Sequence, residues 1–291
     1  MQIETFYVRI FTGDVMSKTL LGFRDGDMYI HHTVTENPDK DDYSFKSHSH
    51  NMVEIYLFLQ GNAHFAIDGR IFDLKRGTLA VMYPGQTHNL LIEECQKYER
   101  IAFLIDPCVL PEEYALISEK LKKGENIYTL TVEEVDWLIK SIYIPSSLRQ
   151  SAKKRMYLSL VSFVFCMLYS KKTGSDETVG IMTDETVRLT AEYINEHLGD
   201  NALSLNGISS ALFINKTALN RKFRAVMGCS VWDYVIRKRI YSAQQHLIFT
   251  GNIGATFEAS GFSDYSAFWR AYKKIIGISP KEDLKKHSSK M

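Results

Sequence analysis

Apolar side chains in the first hundred residues fall in short runs that are rich in β-branched and aromatic residues. Four of these runs are Val53–Leu59, Ala63–Ile67, Thr78–Tyr83 and Arg100–Ile105. Glycine-bearing turns such as Asp68–Gly69 separate them, which is typical of neighbouring strands. Short strands at this spacing favour a sandwich or a barrel. We therefore predict a β-barrel in this part of the chain.

Helical patterns replace the strands from Pro111, where a first helix is predicted to open. Thr131–Glu134 has the capping-box arrangement that starts a second helix. A third predicted helix runs from about Ser147 to Tyr169, and its second half is apolar almost all round. Such a helix must be covered on every side, either by a second subunit or by packing inside its own chain. The pattern leaves both alternatives open, and the first predicts a homodimer.

A polar run at Lys171–Thr178 indicates a linker, and everything after it has the pattern of helices joined by short turns. The predicted fold class is therefore α+β and multidomain. We predict a barrel at residues 1–105, a helical dimerisation segment at 106–172, a linker at 173–183 and an all-α domain at 184–291.

Charge divides the chain in the same way. The 291 residues have an ordinary globular composition and a net charge of only +1. Residues 184–291, however, contain 15 Lys and Arg against 10 Asp and Glu, a net +5, whereas residues 1–183 contain 20 against 24, a net −4. This asymmetry indicates a polyanionic partner for the second part.

The spacing of the cysteines and the length of the apolar segments indicate the cellular compartment. Cys95, Cys108, Cys166 and Cys229 are scattered, with no paired spacing that would indicate zinc or a redox dithiol. No signal peptide is visible, and the apolar stretch Tyr157–Tyr169 is shorter than the roughly 20 residues that a membrane span needs. We expect a cytoplasmic protein with no membrane partner.

A repeat runs through the predicted all-α domain with an offset of 49 positions. Residues 215–231 and 264–280 share four identities in register. The identical pairs are Ala218 and Ala267, Arg221 and Arg270, Gly228 and Gly277, and Ser230 and Ser279. Agreement in the cap, the buried face, the arginine and the terminating glycine is harder to obtain by chance than agreement between two amphipathic helices.

Each copy has the parts of a helix that reads DNA in a helix-turn-helix unit. Asn215 and Asp264 are good N-caps, and a shorter helix precedes each copy. The apolar positions 219, 223 and 226, and likewise 268, 272 and 275, are predicted to pack on the domain. The opposite face at the N-terminal end is predicted to contact bases and carries Lys216, Thr217, Asn220 and Arg221 in the first copy and Tyr265, Ser266, Trp269 and Arg270 in the second.

This domain resembles the AraC/XylS family over about a hundred residues, Asp184 to Lys285. The most specific segment is Gly261–Lys274 followed by Gly277-Ile-Ser-Pro. The resemblance implies a tandem helix-turn-helix domain whose two reading helices enter successive major grooves of double-stranded promoter DNA, roughly 34 Å apart. It also implies phosphate contacts by Lys222, Arg224, Lys273 and Lys274. One departure is Phe257, which stands where the family has a small residue.

The histidines of the N-terminal part resemble the two motifs of cupins, small β-barrels. The first motif is His48-Ser-His50-Asn-Met-Val-Glu54 with a glycine seven residues on, and the second ends in Pro84-Gly-Gln-Thr-His88. His48, His50 and Glu54 are even-spaced and would share one face of a strand. The resemblance implies that His88 joins them inside the barrel, where the four would bind a divalent transition metal or, with Tyr56, line the pocket of a small-molecule effector.

We therefore predict a DNA-binding transcription regulator, not an enzyme. We expect an activator that responds to a small effector, with a sugar as the class that the family resemblance suggests, and with RNA polymerase as a further partner. Two other functions stay open. A metal-dependent cupin enzyme would use the four-residue site for turnover, and a DNA binder without an effector would have a barrel filled with side chains.

Overall fold

The computed structural model of the protein describes residues 17–39, 45, 47–171 and 184–288, and the statements below concern these residues. The predicted linker 173–183 lies outside them. The described residues form a β-rich N-terminal domain with helices on one side and an all-helical C-terminal domain, as predicted.

Two antiparallel sheets make up the β-rich part. A six-stranded sheet has the order β1-β2-β8-β3-β6-β9, and a three-stranded sheet has the order β5-β4-β7. The strands are β1 (Ser17–Asp25), β2 (Met28–Glu36), β3 (Val53–Gln60), β4 (Ala63–Ile67), β5 (Arg70–Asp73), β6 (Thr78–Met82), β7 (His88–Ile92), β8 (Lys97–Ile105) and β9 (Ile127–Thr129).

The sequence of β3 determines which of its side chains enter each of the two cores beside the large sheet. Because side chains alternate along a strand, Val53, Ile55 and Leu57 enter the core between the large sheet and the helices. Tyr56 and Phe58 point the other way, into the core between the two sheets. Both faces of this strand are buried, which explains its nearly continuous apolar run.

Three helices cover the outer face of the large sheet. They are α1 (Tyr114–Lys122), α2 (Val132–Tyr143) and α3 (Gln150–Ser170). The predicted capping box is present: the Thr131 hydroxyl accepts from the Glu134 N–H, and the Glu134 carboxylate accepts from the Thr131 N–H. α1 begins three residues after Pro111, because Pro111–Tyr114 first forms a turn.

α3 is covered by its own chain on one face only. Tyr157, Val161, Phe165 and Leu168 are buried against the other helices and the sheet. Phe163, on the opposite face, is 53% exposed. Leu160 and Val164 are buried as well, and Leu158 and Met167 are partly buried against the same core, so packing inside the chain accounts for most of the apolar pattern. No helix in the described ranges is long and apolar enough to cross a membrane.

The C-terminal domain consists of two small helical units that share one long helix. Its helices are α4 (Glu185–Glu196), α5 (Leu205–Ala211), α6 (Lys216–Met227), α7 (Val231–Thr250), α8 (Ile253–Ala259), α9 (Tyr265–Ile276) and α10 (Pro280–Ser288). α7 contributes Tyr234 and Val235 to the core of the first unit and Ile240 and Leu247 to that of the second. The shared helix thereby fixes the relative position of the two units.

The predicted apolar stripe of each reading helix packs against its core, with Val226 and Ile275 partly buried there, and one further residue in each helix is buried. In α6 the buried residue is Met227, whereas Val226 is half-buried, and in α9 it is Ile276 rather than Ile275. In both helices the residue eight positions after the first stripe residue is thus more buried than the residue seven positions after it. Gly228 and Gly277 end the helices in the left-handed conformation, with φ of 70° and 90°.

Candidate effector site and nucleic-acid interface

The structure brings the four predicted metal-ligating residues together. One donor atom from each of His48, His50, Glu54 and His88 lies within 4.8 Å of the others. The Nε2 atoms of His50 and His88 lie 3.0 and 3.1 Å from the same carboxylate oxygen of Glu54, Oε2. The rings of His48 and His88 are 4.4 Å apart. These four residues are called the histidine cluster below.

The segment that carries His48 and His50 is not the predicted strand. β3 begins only at Val53, and His48 makes a single antiparallel bridge with His88, in which each N–H donates to the carbonyl of the other at 3.0 Å. The carbonyl of His50 accepts from the N–H of Gly85 at 2.8 Å instead of from a sheet neighbour. Backbone bonds to one short loop and to the start of β7 therefore position these two imidazoles.

Hydrogen bonds to the backbone orient the imidazoles of His50 and His88. Nδ1 of His50 lies 3.1 Å from the Met52 carbonyl, and Nδ1 of His88 lies 2.9 Å from the Gln86 carbonyl. A ring whose Nδ1–H donates to a carbonyl presents Nε2 to the centre, either with a second proton or as a metal ligand. The buried Nε2 of His88 has one close contact in the described residues, with Oε2 of Glu54 at 3.1 Å, and that contact lacks hydrogen-bond geometry. The donor set and this atom fit a divalent transition metal.

The charges within the cluster stabilise one another. Burial by itself raises the pKa of Glu54, but the hydrogen bond from His50 and the contact with His88 lower it well below its ordinary value. Burial lowers the pKa of His88, but Glu54 outweighs that effect, and the net pKa is raised. A carboxylate that stays ionised when buried can accept hydrogen bonds from the neighbouring imidazole N–H groups or bind a cation.

Tyr56 is not part of an open pocket. It is 1% exposed, and its hydroxyl is hydrogen-bonded to that of Tyr98. Its ring packs on Phe65, which in turn stacks on His88 with a centroid distance of 5.9 Å. Among the described residues, aromatic side chains thus fill the space between the two sheets beside the histidine cluster, and Tyr56 does not line an open pocket there.

A cavity of about 330 Å³ lies instead between the two domains. Asp68, Arg70 and Tyr83 line it from the barrel, and Glu192 and Asn195 line it from α4. Arg70 donates to Glu192 across the cavity at 2.6 Å. This cavity could not be predicted from local sequence patterns, because Arg70 and Glu192 on its two sides are 122 residues apart.

α7 contacts the same loops that hold the histidine cluster. The hydroxyl of Tyr241 donates to the carbonyl of Ser49, the residue between His48 and His50, at 3.2 Å. Gly85 lies so close to Tyr241 that a Cβ atom there would be 2.6 Å from the Cβ of the tyrosine. The loop that bonds to His50 is therefore also a packing surface for the DNA-binding domain.

Asp68 makes the corresponding contact on the His88 side. Its Oδ1 accepts from the N–H of Thr87, next to His88, and from the hydroxyl of Tyr234 at 2.7 Å. Its Oδ2 lies 3.2 Å from Nζ of Lys238, and both side chains are buried. Burial alone lowers the pKa of Lys238, but Asp68 and Tyr83 raise it above its ordinary value, so the lysine keeps its charge.

The predicted base-reading and phosphate-contacting residues lie mostly on open surface at one end of α6 and along α9. The exposed ones are Lys216, Thr217, Arg221, Arg224, Tyr265, Ser266, Arg270, Lys273 and Lys274, and Trp269 is half-buried. Two differ. The Asn220 side chain accepts from the N–H of Val231 and so caps α7, and Lys222 pairs with Asp184 at 3.1 Å. Both hold the domain together in this structure.

Phe257 is accommodated within the second unit. Its ring is half-buried and packs against Tyr265 and Phe268, with centroid distances of 5.2 and 5.8 Å. The preceding Thr256 is fully buried and donates to the Asn252 carbonyl. Both helices of the second unit form with this departure from the family pattern in place.

Comparisons with known proteins agree with this architecture. A family model described as an AraC-like ligand binding domain matches residues 34–154, and one described as a helix-turn-helix domain matches residues 208–286. The chain thus combines an AraC-like ligand binding domain with a helix-turn-helix domain. Its β-rich domain and its tandem units correspond to these two parts, and the relatives described next are named as regulators.

The similarity to individual relatives is distant. The arabinose operon regulatory protein of Escherichia coli is 29% identical over 117 residues, which are 40% of this chain and 40% of that protein. A probable transcriptional regulator of Photobacterium leiognathi, LumQ, is 30% identical over 93 residues, 32% of this chain and 37% of that protein. The matches thus span less than half of these two relatives. An uncharacterized HTH-type transcriptional regulator of Bacillus subtilis, YfiF, is 22% identical over 88% of this chain and 83% of its own length.

Among solved structures, the apo form of a variant of ToxT from Vibrio cholerae matches with 13% identity and a TM-score of 0.38. That match covers 90% of this chain and 98% of the other. A structure from Listeria innocua with 32% identity covers 33% of this chain and 91% of its own, with a TM-score of 0.32.

Proposed function

We propose that this protein is a transcription regulator of the AraC family that binds promoter DNA through α6 and α9. The observation that carries the proposal is the repeated exposed face on two helices held by one shared helix. Arg221 and Arg270 occupy equivalent positions on that face, and both are exposed. Arginine forms bidentate contacts with guanine, so each helix has a side chain suited to reading a base pair.

The histidine cluster is the sensor in this proposal, and its ligand is a divalent transition metal. Three imidazoles and an ionised carboxylate are a ligand set for such ions, and backbone carbonyls already orient two of the rings. Nε2 of His88 contacts Oε2 of Glu54 at 3.1 Å without hydrogen-bond geometry, and after losing its proton it could bind such an ion.

The signal would pass to the DNA-binding domain through α7. The two loops that position His50 and His88 contact Tyr241 and, through Asp68, Tyr234 and Lys238. A ligand that shifts these loops changes the contacts with the helix that carries both reading units. Such a ligand biases the DNA affinity only as far as it binds the two arrangements differently.

The interdomain cavity supports a second candidate for the effector, a small polar molecule such as a sugar. Its volume of about 330 Å³ is at the lower end of the range of small-molecule sites, and its lining offers carboxylate, guanidinium, amide and phenol groups. An effector there would touch Asp68 and Glu192 and so would act on the same domain interface.

A cupin enzyme is the less well supported function. Turnover would require a substrate to reach the cluster from the barrel interior, and Tyr56, Phe65 and neighbouring side chains fill that space. We further propose a homodimer and an activator that contacts RNA polymerase in the cytoplasm. The exposed apolar side chains of α2 and α3 support the homodimer, and resemblance to the AraC family alone supports the activator.

The function can be tested with DNA selected from a random pool by the full-length protein. We expect tight, salt-sensitive binding by the wild type, because phosphate neutralisation dominates such affinity. The affinity should change when Zn²⁺ or Ni²⁺ is added after chelation, and His50→Ala should abolish that change but not the binding itself. His64→Ala is the matched control, since His64 pairs with Asp73 and Glu93 outside the cluster. A pool that never enriches would contradict the DNA-binding assignment, and metal independence in the wild type would contradict the sensor.

A further inference from the structure

A second group of metal-ligating side chains lies where the last helix meets the β-rich domain. Donor atoms of Asp106, Cys108 and His287 lie within 4.8 Å of one another. Asp106 and Cys108 follow the end of β8, and His287 is in α10. The group shares no residue with the histidine cluster, and the sequence pattern assigned Cys108 no role.

The two ligands from the β-rich domain are held together by a turn. Asp106 caps the short 3-10 helix Pro107–Val109, and its Oδ1 accepts from the N–H of Cys108 at 3.0 Å. The carboxylate and the thiol, two positions apart, thereby have a fixed spacing.

His287 is the more informative member because it is 4% exposed. Its Nε2 lies 3.1 Å from Oδ1 of Asp283. The other oxygen of Asp283 accepts from Gln244 at 2.7 Å and from Tyr272 at 2.8 Å, so the carboxylate is fixed. A carboxylate behind an imidazole is the arrangement that orients histidines which bind metals.

The remaining ring nitrogen of His287 has no hydrogen-bond partner among the described residues, although it is buried. A buried polar atom without a partner loses its hydration without compensation, and such atoms are rare in native structures. Since Asp283 engages Nε2, Nδ1 is the atom that can serve Asp106 and Cys108. The geometry thus leaves a lone pair beside a thiol and a carboxylate.

We propose that Asp106, Cys108 and His287 bind a zinc-class divalent ion that ties α10 to the β-rich domain. Thiolate, imidazole and carboxylate are zinc ligands at about 2.0–2.3 Å, and a tetrahedral site would place the donor atoms roughly 3.5 Å apart. The three donors need to close by only about 1 Å from their widest spacing to reach that geometry. Cys108 binds as the thiolate and releases its proton to solvent, and water takes the fourth position.

This site differs from the histidine cluster in a measurable way, because only this one contains a thiolate. The test uses Co²⁺ as a spectroscopic substitute for zinc in the reduced full-length protein. We expect a thiolate-to-cobalt charge-transfer band in the wild type and also in His50→Ala, which removes a ligand of the other cluster. Cys108→Ser and His287→Ala should each lose the band, whereas Cys166→Ser, which removes an exposed thiol on α3, should keep it.

A second measurement concerns the tie between the domains. In the His50→Ala background, Zn²⁺ should slow hydrogen exchange in α10, and the added Cys108→Ser substitution should remove this protection while α6 exchanges as before. We also expect Cys108→Ser to weaken Zn²⁺ binding tenfold or more in a competition titration. The proposal is overturned if the wild type shows no thiolate band, if the band survives Cys108→Ser or His287→Ala, or if Zn²⁺ leaves exchange in α10 unchanged.

Discussion

Lys238 in α7 and Asp68 in the turn between β4 and β5 form an ion pair across the domain boundary. Nζ and Oδ2 are 3.2 Å apart, and the two side chains are only 5% and 11% exposed. The aspartate also holds the N–H of Thr87 beside the histidine cluster. One carboxylate therefore connects the proposed sensor to the helix that both reading units share.

Removing one side chain of this ion pair should strongly destabilise the folded protein. We expect Asp68→Ala to lower the free energy of unfolding by about 3–5 kcal/mol, because it leaves the Lys238 charge buried without a counterion. The double variant Asp68→Ala/Lys238→Met should lose less than the sum of the single changes, as residues in contact do. Denaturant titration of all three variants measures this.

Arg76→Ala is the control for that cycle. Arg76 pairs with Asp136 at 3.6 Å, and both side chains are about half exposed. Its loss should cost no more than about 1 kcal/mol. If Asp68→Ala is as mild as Arg76→Ala, the pair does not hold the domains together.

The contact between Gly85 and Tyr241 gives a prediction about coupling. Gly85→Ala would place a Cβ atom 2.6 Å from that of Tyr241 and must push the loop away from α7. We expect faster hydrogen exchange in α7 and loss of the metal response of DNA binding, while DNA binding itself remains.

Gly26→Ala separates this contact from backbone strain. Gly26 also has a positive φ, 40°, but no atom lies within 4 Å of the position of its Cβ. Both substitutions should cost about 1–2 kcal/mol in stability, because a side chain in the left-handed region is strained. Only Gly85→Ala should make hydrogen exchange in α7 faster. Equal exchange in the two variants would show that the loop does not transmit a signal.

Local sequence rules explain why most of the fold could be predicted. The capping box at Thr131 and the glycines at 228 and 277 act through hydrogen bonds and dihedral angles within a few residues, and the structure contains all three. The convergence of His48 and His88 was predictable only because a motif of a known barrel supplied the long-range geometry.

The contacts that could not be predicted share a cause, which is that a helix or strand pattern does not show what its polar side chains contact. Asn220 has the position and chemistry of a base-reading residue. Its side-chain oxygen, however, accepts from the N–H of Val231, eleven residues further along, at the start of α7. Asp68 belongs to no motif, and its partner Lys238 is 170 residues away. Only the packing of the two domains reveals such contacts.

Base recognition should depend on the two equivalent arginines. We expect Arg221→Ala and Arg270→Ala each to cost about 1–3 kcal/mol of discrimination at one base pair, at separate positions of the selected site, with little effect on folding. Lys274→Ala, at an exposed phosphate-facing position, should weaken binding to all sequences alike and reduce the salt dependence. Affinity measurements on single-base variants of the selected DNA distinguish the two effects. Unchanged discrimination in both arginine variants would remove these residues from the reading face.

The oligomeric state should depend on the exposed face of α3 and not on its buried one. Val161 and Leu168 are buried in their own chain, so a charge at either would disrupt the fold rather than a subunit contact. Phe163 is 53% exposed and packs against Trp137 in a tilted arrangement with a centroid distance of 4.6 Å, which leaves an aromatic pair on the surface. Large aromatic pairs of this kind are common at the centres of protein interfaces.

We expect Phe163→Glu to give a folded monomer, because a carboxylate in an apolar interface cannot be solvated. Sedimentation at micromolar concentration measures the change, and circular dichroism establishes that the fold persists. Phe249→Glu is the matched control, since Phe249 is an equally apolar and still more exposed side chain at the far end of α7. A wild-type protein that sediments as a monomer, or a dimer that persists in Phe163→Glu, would exclude this face as the subunit contact. A dimer lost in Phe249→Glu instead would place the contact in the DNA-binding domain.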